Sequence, residues 1–282
     1  MKAVVFDGVK TSLQEIPKPN IDSKFNTLIK VVYAGICKTD VYMSQGKMSG
    51  KSPVVLGHEF SGYVVETLDD NLKVGDFVTC NPILPNQKML GVDYDGAFAE
   101  YVKVPASQCY VFDGHDQKMA AYIEPLAASM APMKNIEPLK DKKIGIVGKD
   151  RIGKLTETIF KNHQLDASFV TEMESDTFDV IVETWAEEEV LDNCIDALKE
   201  GGLLILKSRN YKKVPLDLYK IVRKGIKLEG MYYLDDYQQV IEFSKRCSDL
   251  EAFLGKSYSL ENWKMAFDES HDSYQKIFLK VS

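Results

Sequence analysis

Short apolar runs separated by glycine and proline dominate the chain from its start to about residue 110. Apolar and polar positions alternate within these runs, and β-branched and aromatic residues are common in them, which is typical of strands. We expect strands at residues 2–6, 27–33, 60–65, 76–79 and 98–104. This part of the chain is therefore predicted to form an irregular β-rich domain.

From Met119 onward, the spacing of apolar positions changes to that of helices and strands in alternation. Such alternation indicates a parallel sheet with helical crossovers, so the fold class is α/β. After a first helix at 119–134, the predicted elements are 143–147, 152–162, 167–171, 178–183, 188–198 and 203–207. The tail is predicted to contain a helix from about Tyr237, a short helix at 260–267 and a last strand at 276–281.

Length and composition fit a globular protein of two domains. The chain has 282 residues, 45% of them hydrophobic and 27% charged. Its net charge of -7 argues against a nucleic-acid partner, because such partners require a basic surface. The start of the chain does not resemble a signal peptide, and no apolar run reaches the roughly 18 residues of a membrane span. We expect a protein of the cytoplasm, without a membrane partner.

Three separated residues suggest a metal site. Cys37 lies in Gly-Ile-Cys-Lys-Thr-Asp, His58 precedes Glu59 in Gly-His-Glu-Phe, and Glu124 lies in Tyr-Ile-Glu-Pro-Leu. A thiolate, an imidazole and a carboxylate are the ligands of open, catalytic zinc sites. Each residue also has an ordinary explanation: a small buried side chain for the cysteine, a loop hydrogen bond for the histidine and a helix-terminal acid for the glutamate.

Taken together and in order, these phrases resemble the zinc-dependent medium-chain dehydrogenase/reductase family, which includes alcohol, sorbitol and threonine dehydrogenases. The resemblance covers nearly the whole chain and extends to further blocks, at 74–76, 96–101, 197–204 and 260–267. It implies a GroES-like β-rich catalytic domain at 1–127, completed by 245–282, and a Rossmann-type parallel-sheet domain at 128–244.

The resemblance also implies roles for the site residues. Cys37, His58 and Glu124 match zinc-ligand positions, and Glu59 matches a ligand that exchanges with water or substrate. Zinc there acts as a Lewis acid on the bound alcohol. Thr39 matches the first proton acceptor of a relay, and Asp40 suits a partner that orients a histidine ligand. Many members finish the relay with a histidine where this chain has Tyr42. Tyrosine hydroxyls in general titrate near ~10, so a packing role is an equal alternative.

A nicotinamide cofactor is indicated by the segment after the strand expected at 143–147. The segment follows a strand and opens a helix, as a dinucleotide fingerprint must. Its first and third glycines are Gly148 and Gly153, but the second position is Asp150, whose carboxylate would crowd and repel a pyrophosphate. Lys149 or Arg151, the latter beside Ile152, can offset that charge, and a solvated loop is the alternative explanation for both. Glu172 is placed to bind the ribose hydroxyls and favours NAD over NADP.

Two segments usual in the family are absent from the sequence. The lobe with four closely spaced cysteines is missing between Pro82 and Leu90, and the five cysteines of the chain contain no CxxC pair. We therefore expect one catalytic zinc and no structural zinc or disulfide framework. Only five residues separate Glu172 from Phe178, so the parallel sheet is expected to lack one βα step.

Three functions fit these observations. The first is an oxidoreductase that transfers hydride between a secondary alcohol, polyol or sugar-like, and NAD at zinc. The second is a zinc-bearing pseudoenzyme or binding module with a decayed cofactor site, and the third is a non-redox zinc lyase on the same fold. Gly153 and Glu172 favour the first. The expected partners are a small alcohol or ketone and further copies of the chain, as a homodimer or homotetramer.

Overall fold

The computed structural model describes residues 1–209 and 213–282, with the side chain of Asp272 left out. The chain divides into two units, 1–125 with 237–282 and 126–236. The first predicted boundary, at 127/128, lies two residues from the observed one. The second, at 244/245, falls inside a helix that begins at Tyr237 and belongs wholly to the first unit.

The first unit contains two mostly antiparallel sheets. One has three strands in the order β2-β1-β4, and the other runs β14-β15-β3-β5-β6-β8, with β7 also paired to β3. The strands are β1 (Lys2–Phe6), β2 (Thr11–Glu15), β3 (Thr27–Gly35), β4 (Val54–Val55), β5 (Glu59–Thr67), β6 (Phe77–Cys80), β7 (Tyr101–Val104), β8 (Cys109–Val111), β14 (Leu254–Ser259) and β15 (Lys276–Lys280). This architecture confirms the β-rich first domain.

Strand pairing brings three separated segments together. Gly35, the last residue of β3, lies opposite Glu59, the first residue of β5. Phe278 of β15 lies opposite Gly35 on the other side, and Ile36 N donates to Ile277 O at 2.9 Å. The segment after β3, the segment before β5 and the start of β15 therefore meet at one place.

Four helices belong wholly or partly to this unit: α1 (Lys38–Ser44), α2 (Gln117–Ser129), α6 (Tyr237–Arg246) and α7 (Trp263–Asp272). Helix α2 is shorter than the predicted 119–134. A 3-10 helix follows at Ala131–Asn135, with Pro132 near its start. Pro132 has no N–H to donate to the last turn of α2, which favours an end there, although α2 accommodates Pro125 within its length.

The second unit contains a five-stranded parallel sheet in the order β10-β9-β11-β12-β13. Its strands are β9 (Ile144–Val147), β10 (Ala167–Phe169), β11 (Phe178–Glu183), β12 (Leu198–Leu206) and β13 (Lys227–Gly230), and its helices α3 (Arg151–Asn162), α4 (Glu188–Ala197) and α5 (Leu218–Lys224). The sheet confirms the predicted parallel fold. Strand β10 lies at one edge, where the missing βα step was expected.

Each unit has its own apolar core. The first is built around buried residues of the larger sheet such as Ile29, Phe60 and Leu279. The second includes Phe178 and Ile181 of β11 with Ile195 of α4. None of the helices in the described residues is long and apolar enough to cross a membrane.

Candidate metal centre and cofactor loop

Cys37, His58 and Glu59 converge where β3, β5 and β15 meet. One ligand atom from each, the Cys37 Sγ, a His58 ring nitrogen and a Glu59 carboxylate oxygen, lie within 4.8 Å of one another. His58 and Glu59 are buried and Cys37 is half-buried. Since thiolate, imidazole and carboxylate groups are the usual zinc ligands, the group fits a zinc ion.

Asp40 fixes the geometry of this group. Its Oδ1 lies 3.1 Å from His58 Nδ1 and accepts from Gly57 N at 3.1 Å, while its Oδ2 accepts from Cys37 N at 2.9 Å. The last bond also satisfies a free N–H at the start of α1. A carboxylate on Nδ1 leaves Nε2 as the ring nitrogen for a metal, and Asp40 is thus the orienting partner that the sequence suggested.

The electrostatics of His58 reflect this partner. Burial alone would lower the pKa of the imidazole, but the Asp40 charge and hydrogen bond, with a contribution from Cys37, raise it well above its usual range. Asp40 therefore strongly favours positive charge at this position. A metal cation at Nε2 provides such charge and replaces the proton there.

The Glu59 carboxylate forms an ion pair with a lysine that was not among the residues predicted from the sequence. Lys276 Nζ lies 2.6 Å from Glu59 Oε2 and donates to Glu59 Oε1 at 2.7 Å and to Ile36 O at 3.1 Å. Both side chains are only 2% exposed. The sequence offered one signal, a charged residue in the otherwise apolar run Lys-Ile-Phe-Leu, but no hint of its partner.

Glu124 lies in α2 and is buried, but its carboxylate does not belong to the group of mutually close ligand atoms. The predicted ligand role of Glu124 therefore stays a prediction.

Tyr237, at the start of α6, is a second residue missed by the sequence analysis. Its hydroxyl is buried without a hydrogen bond to the described residues. Burial, followed by the charges of Glu124, Cys80, Tyr110 and Glu59, raises the pKa of Tyr237 well above its usual range.

Thr39 and Tyr42, the two predicted relay residues, both lie in α1 and are half-buried. They are three positions apart, and side chains with this spacing lie on the same face of a helix. This placement is compatible with a relay along α1. Their roles stay predictions.

In the second unit, the glycine-containing loop joins β9 to α3 as expected. Gly148 has a φ of +109°, which glycine adopts without strain. A Cβ at Gly153 would lie 1.8 Å from Gly148 O, so only glycine fits there. These two positions have the backbone geometry of the first and third glycines of the dinucleotide fingerprint.

Asp150 is the N-cap of α3, and its carboxylate faces the start of the helix. Oδ1 accepts from Gly153 N at 3.0 Å and from Thr184 Oγ1 at 3.4 Å. A helix N-terminus is where a pyrophosphate would bind. The negatively charged Asp150 carboxylate therefore occupies a backbone amide that a cofactor phosphate would use.

The other predicted cofactor residues lie around the same edge of the sheet. Arg151 and Ile152 form the first turn of α3 and are half-buried, while Glu172 is exposed, three residues beyond the end of β10. The carboxyl ends of β9 and β10 are neighbours, which is where a dinucleotide binds in such sheets. Their cofactor contacts remain predictions.

Residues 23–113 match the family model of the alcohol dehydrogenase GroES-like domain. An L-threonine 3-dehydrogenase of Streptomyces coelicolor is 24% identical, with 96% of each chain covered. Another, of Bacillus velezensis, is 36% identical over 57% of this chain, which spans about half (53%) of that relative's length. The fold resembles the crystal structure of 2R,3R-butanediol dehydrogenase from Bacillus subtilis, with a TM-score of 0.85, 22% identity, and 100% and 99% of the two chains covered. The chain is therefore similar in sequence to dehydrogenases of the zinc-dependent medium-chain dehydrogenase/reductase family and shares the fold of 2R,3R-butanediol dehydrogenase.

Proposed function

We propose that this protein transfers hydride between a secondary alcohol, polyol or sugar-like, and NAD at a single zinc ion. The observation that carries the proposal is the convergence of the Cys37, His58 and Glu59 ligand atoms within 4.8 Å. The names of the similar proteins, threonine and butanediol dehydrogenases, support a secondary alcohol as substrate. Cys37 and His58 would hold the zinc, with Glu59 and Glu124 as carboxylate ligands.

When bound, zinc supplies Lewis acidity that makes the alcohol proton easier to remove. The residues of the chain prepare this step. Asp40 holds the His58 ring through Nδ1, and Lys276 Nζ lies within 2.7 Å of both Glu59 carboxylate oxygens, so both carboxylates are positioned before a substrate arrives. Thr39 Oγ1 would accept the alcohol proton, and Tyr42, on the same face of α1, would pass it outward.

The cofactor would bind at the loop from Gly148 to Gly153. Glu172 supports NAD over NADP, because a carboxylate near the adenosine ribose accepts hydrogen bonds from its hydroxyls and repels a 2'-phosphate. Asp150 opposes binding of either cofactor. We therefore propose an NAD enzyme with weak cofactor affinity.

The test is NADH formation by zinc-loaded protein with a panel of vicinal diols, polyols and L-threonine. At least one secondary alcohol should be oxidised, and Cys37→Ser should abolish the reaction. Cys109→Ser is the matched control, since Cys109 lies in β8 and is not among the mutually close ligand atoms. Turnover by Cys37→Ser equal to that of the wild type would contradict the proposal.

One observation favours a second candidate, a zinc-bearing binding module without redox activity. The Asp150 carboxylate accepts from Gly153 N, at the start of the helix where the pyrophosphate would bind. Titration of the zinc-loaded protein with NADH, followed by nicotinamide fluorescence, separates the two candidates. Saturable binding supports the dehydrogenase, whereas zinc binding with no NADH binding at millimolar concentration supports the module.

A further inference from the structure

Two cysteines that have no role in the candidate metal centre lie directly opposite each other in the larger sheet of the first unit. Cys80 is the last residue of β6 and Cys109 the first residue of β8, and the antiparallel register pairs them. Side chains of directly opposed residues extend from the same face of a sheet. The two thiols are therefore neighbours, although 28 residues lie between them in the sequence.

The hydrogen-bond pattern defines the type of this pair. Asn81 N donates to Gln108 O at 2.8 Å, and Phe112 N donates to Phe77 O at 2.8 Å. Because hydrogen-bonded and non-hydrogen-bonded pairs alternate along an antiparallel ladder, Cys80 and Cys109 form a non-hydrogen-bonded pair. Opposed Cα atoms are closest in such pairs, at about 4.5 Å, which is within the ~4.4–6.8 Å that a disulfide spans.

Both thiols are free; they interact with each other, and each also makes a weak contact to a backbone carbonyl. Cys80 Sγ lies 3.6 Å from Asn81 O, and Cys109 Sγ lies 3.8 Å from Pro105 O. Cys80 is fully buried, whereas Cys109 is half-buried. An oxidant can therefore reach Cys109 first, and Cys80 is in place to react with the product.

We propose that Cys80 and Cys109 are an oxidation site of this protein, where a small disulfide such as glutathione disulfide converts the two thiols into a cross-strand disulfide. The Cys109 thiolate attacks glutathione disulfide, forming a mixed disulfide and releasing one glutathione thiolate. The Cys80 thiolate then attacks Cys109 Sγ, which forms the protein disulfide and releases the second glutathione. Two thiols are oxidised, one glutathione disulfide is reduced, and the two protein protons pass to the released thiolates.

The order of these steps follows from the surroundings of the thiols. Burial, followed by the hydrogen bond and charge of Cys109, raises the pKa of Cys80 well above its usual range. Cys80 is therefore the slower nucleophile and acts second, on a sulfur held beside it. The mixed disulfide on Cys109 is an intermediate that should be detectable before the cross-link forms.

The experiment treats zinc-loaded, full-length protein with glutathione disulfide, blocks remaining thiols by alkylation and maps peptides by mass spectrometry. The expected product links the peptides of Cys80 and Cys109, with the loss of two hydrogen atoms, and dithiothreitol reverses it. Cys80→Ser should retain glutathione on Cys109, Cys109→Ser should form no link, and Cys247→Ser should behave like the wild type. The site does not depend on the proposed dehydrogenase activity, because the assay reports only on the thiols.

Three results would overturn the proposal. One is glutathione stably attached to Cys109 of the wild type with no cross-link. Another is a cross-link between any other pair of cysteines, and the third is no modification of either thiol while the free glutathione pool is fully oxidised. Unfolding of a variant does not affect the decision, because the wild-type peptide map already decides it.

Discussion

Lys276 Nζ lies 2.6 Å from Glu59 Oε2, and this buried ion pair adjoins the candidate zinc ligands. The lysine comes from the last strand of the chain and the glutamate from β5. The negative charge of Glu59 is thus balanced by Lys276, which would compete with a bound metal for the carboxylate. Strand β15 therefore contributes Lys276 to the surroundings of the candidate metal centre.

Replacing Lys276 by methionine should destabilise the metal-free protein strongly. Removing one partner of a buried ion pair costs about 3–5 kcal/mol, because the other charge remains buried and uncompensated. Bound zinc should restore part of the lost stability, since the positive charge of the metal can then neutralise the Glu59 carboxylate. Thermal unfolding with and without zinc measures the effect, with Lys276→Arg as the charge-preserving control. An equal loss of stability in both conditions would show that Glu59 does not respond to the metal.

Asp40→Asn should weaken zinc binding about 10- to 100-fold, the usual effect of losing the partner of a metal-binding histidine. The amide would keep one acceptor oxygen. Its NH2 group would then face either Cys37 N or the pair His58 Nδ1 and Gly57 N, and each of these atoms contacts a carboxylate oxygen in the wild type. Competition with a fluorescent chelator measures the affinity. Asp95→Asn, a change to an exposed acid outside the group, is the control. Unchanged affinity in Asp40→Asn would mean that the ring is oriented by other contacts.

The parts of the site that depend on local sequence could be predicted, whereas the parts that depend on tertiary contacts could not. Cys37, His58 and Glu59 lie in short phrases at the ends of strands, and the structure brings them together. Lys276 lies 217 residues from its partner Glu59, so only the β15–β3–β5 pairing reveals the ion pair. Glu124 was predicted as a ligand from its residue type and from the resemblance, and the group of mutually close ligand atoms does not include it.

The fold shows the same division. Strands β1 and β11 have the predicted limits, because their burial follows the apolar pattern. Helix α1 was not predicted, since it has only seven residues and its capping bond from Cys37 N to Asp40 is not visible as an apolar period. Strand β13, which is exposed throughout, also gave no apolar signal.

Asp150→Asn should increase NADH affinity. At an effective dielectric constant near 20, two like charges ~4 Å apart repel by about 4 kcal/mol, so removing the charge can improve binding by up to roughly a thousandfold. Asparagine is as good an N-cap as aspartate, so the α3 cap is retained. Asp150→Gly should also bind more tightly at only a small cost in helix stability. Fluorescence titration with NADH measures both, and the wild type should bind at tens of micromolar or more weakly.

Equal NADH affinity in the wild type, Asp150→Asn and Asp150→Gly would contradict this account of the loop. It would mean that the carboxylate turns away when the cofactor binds. Absence of binding in all three, with zinc present, would instead support the binding module.

Lys207, which follows β12, should give the second unit a distinctive pH dependence. Burial, and then the charge of Arg209, lowers the pKa of Lys207 to about 7, although Glu183 opposes the shift. An unfolded lysine titrates near ~10.4, so between these values the unfolded state holds more protons, and stability rises with pH. The thermal midpoint of Lys207→Met should show less of this rise between about pH 7 and 9 than the wild type. Lys227→Met, at an exposed position of β13, is the control, and identical pH profiles for Lys207→Met and the wild type would refute the prediction.

The zinc content of the purified protein decides whether Cys37, His58 and Glu59 form a metal centre. Protein prepared without chelator and dialysed against metal-free buffer should contain one zinc per chain, and Cys37→Ser should lose most of it while retaining its fold, because open catalytic sites seldom hold a domain together. Circular dichroism of the same samples checks the fold. No retained zinc in the wild type, or a full equivalent in Cys37→Ser, would contradict the metal centre of Cys37, His58 and Glu59.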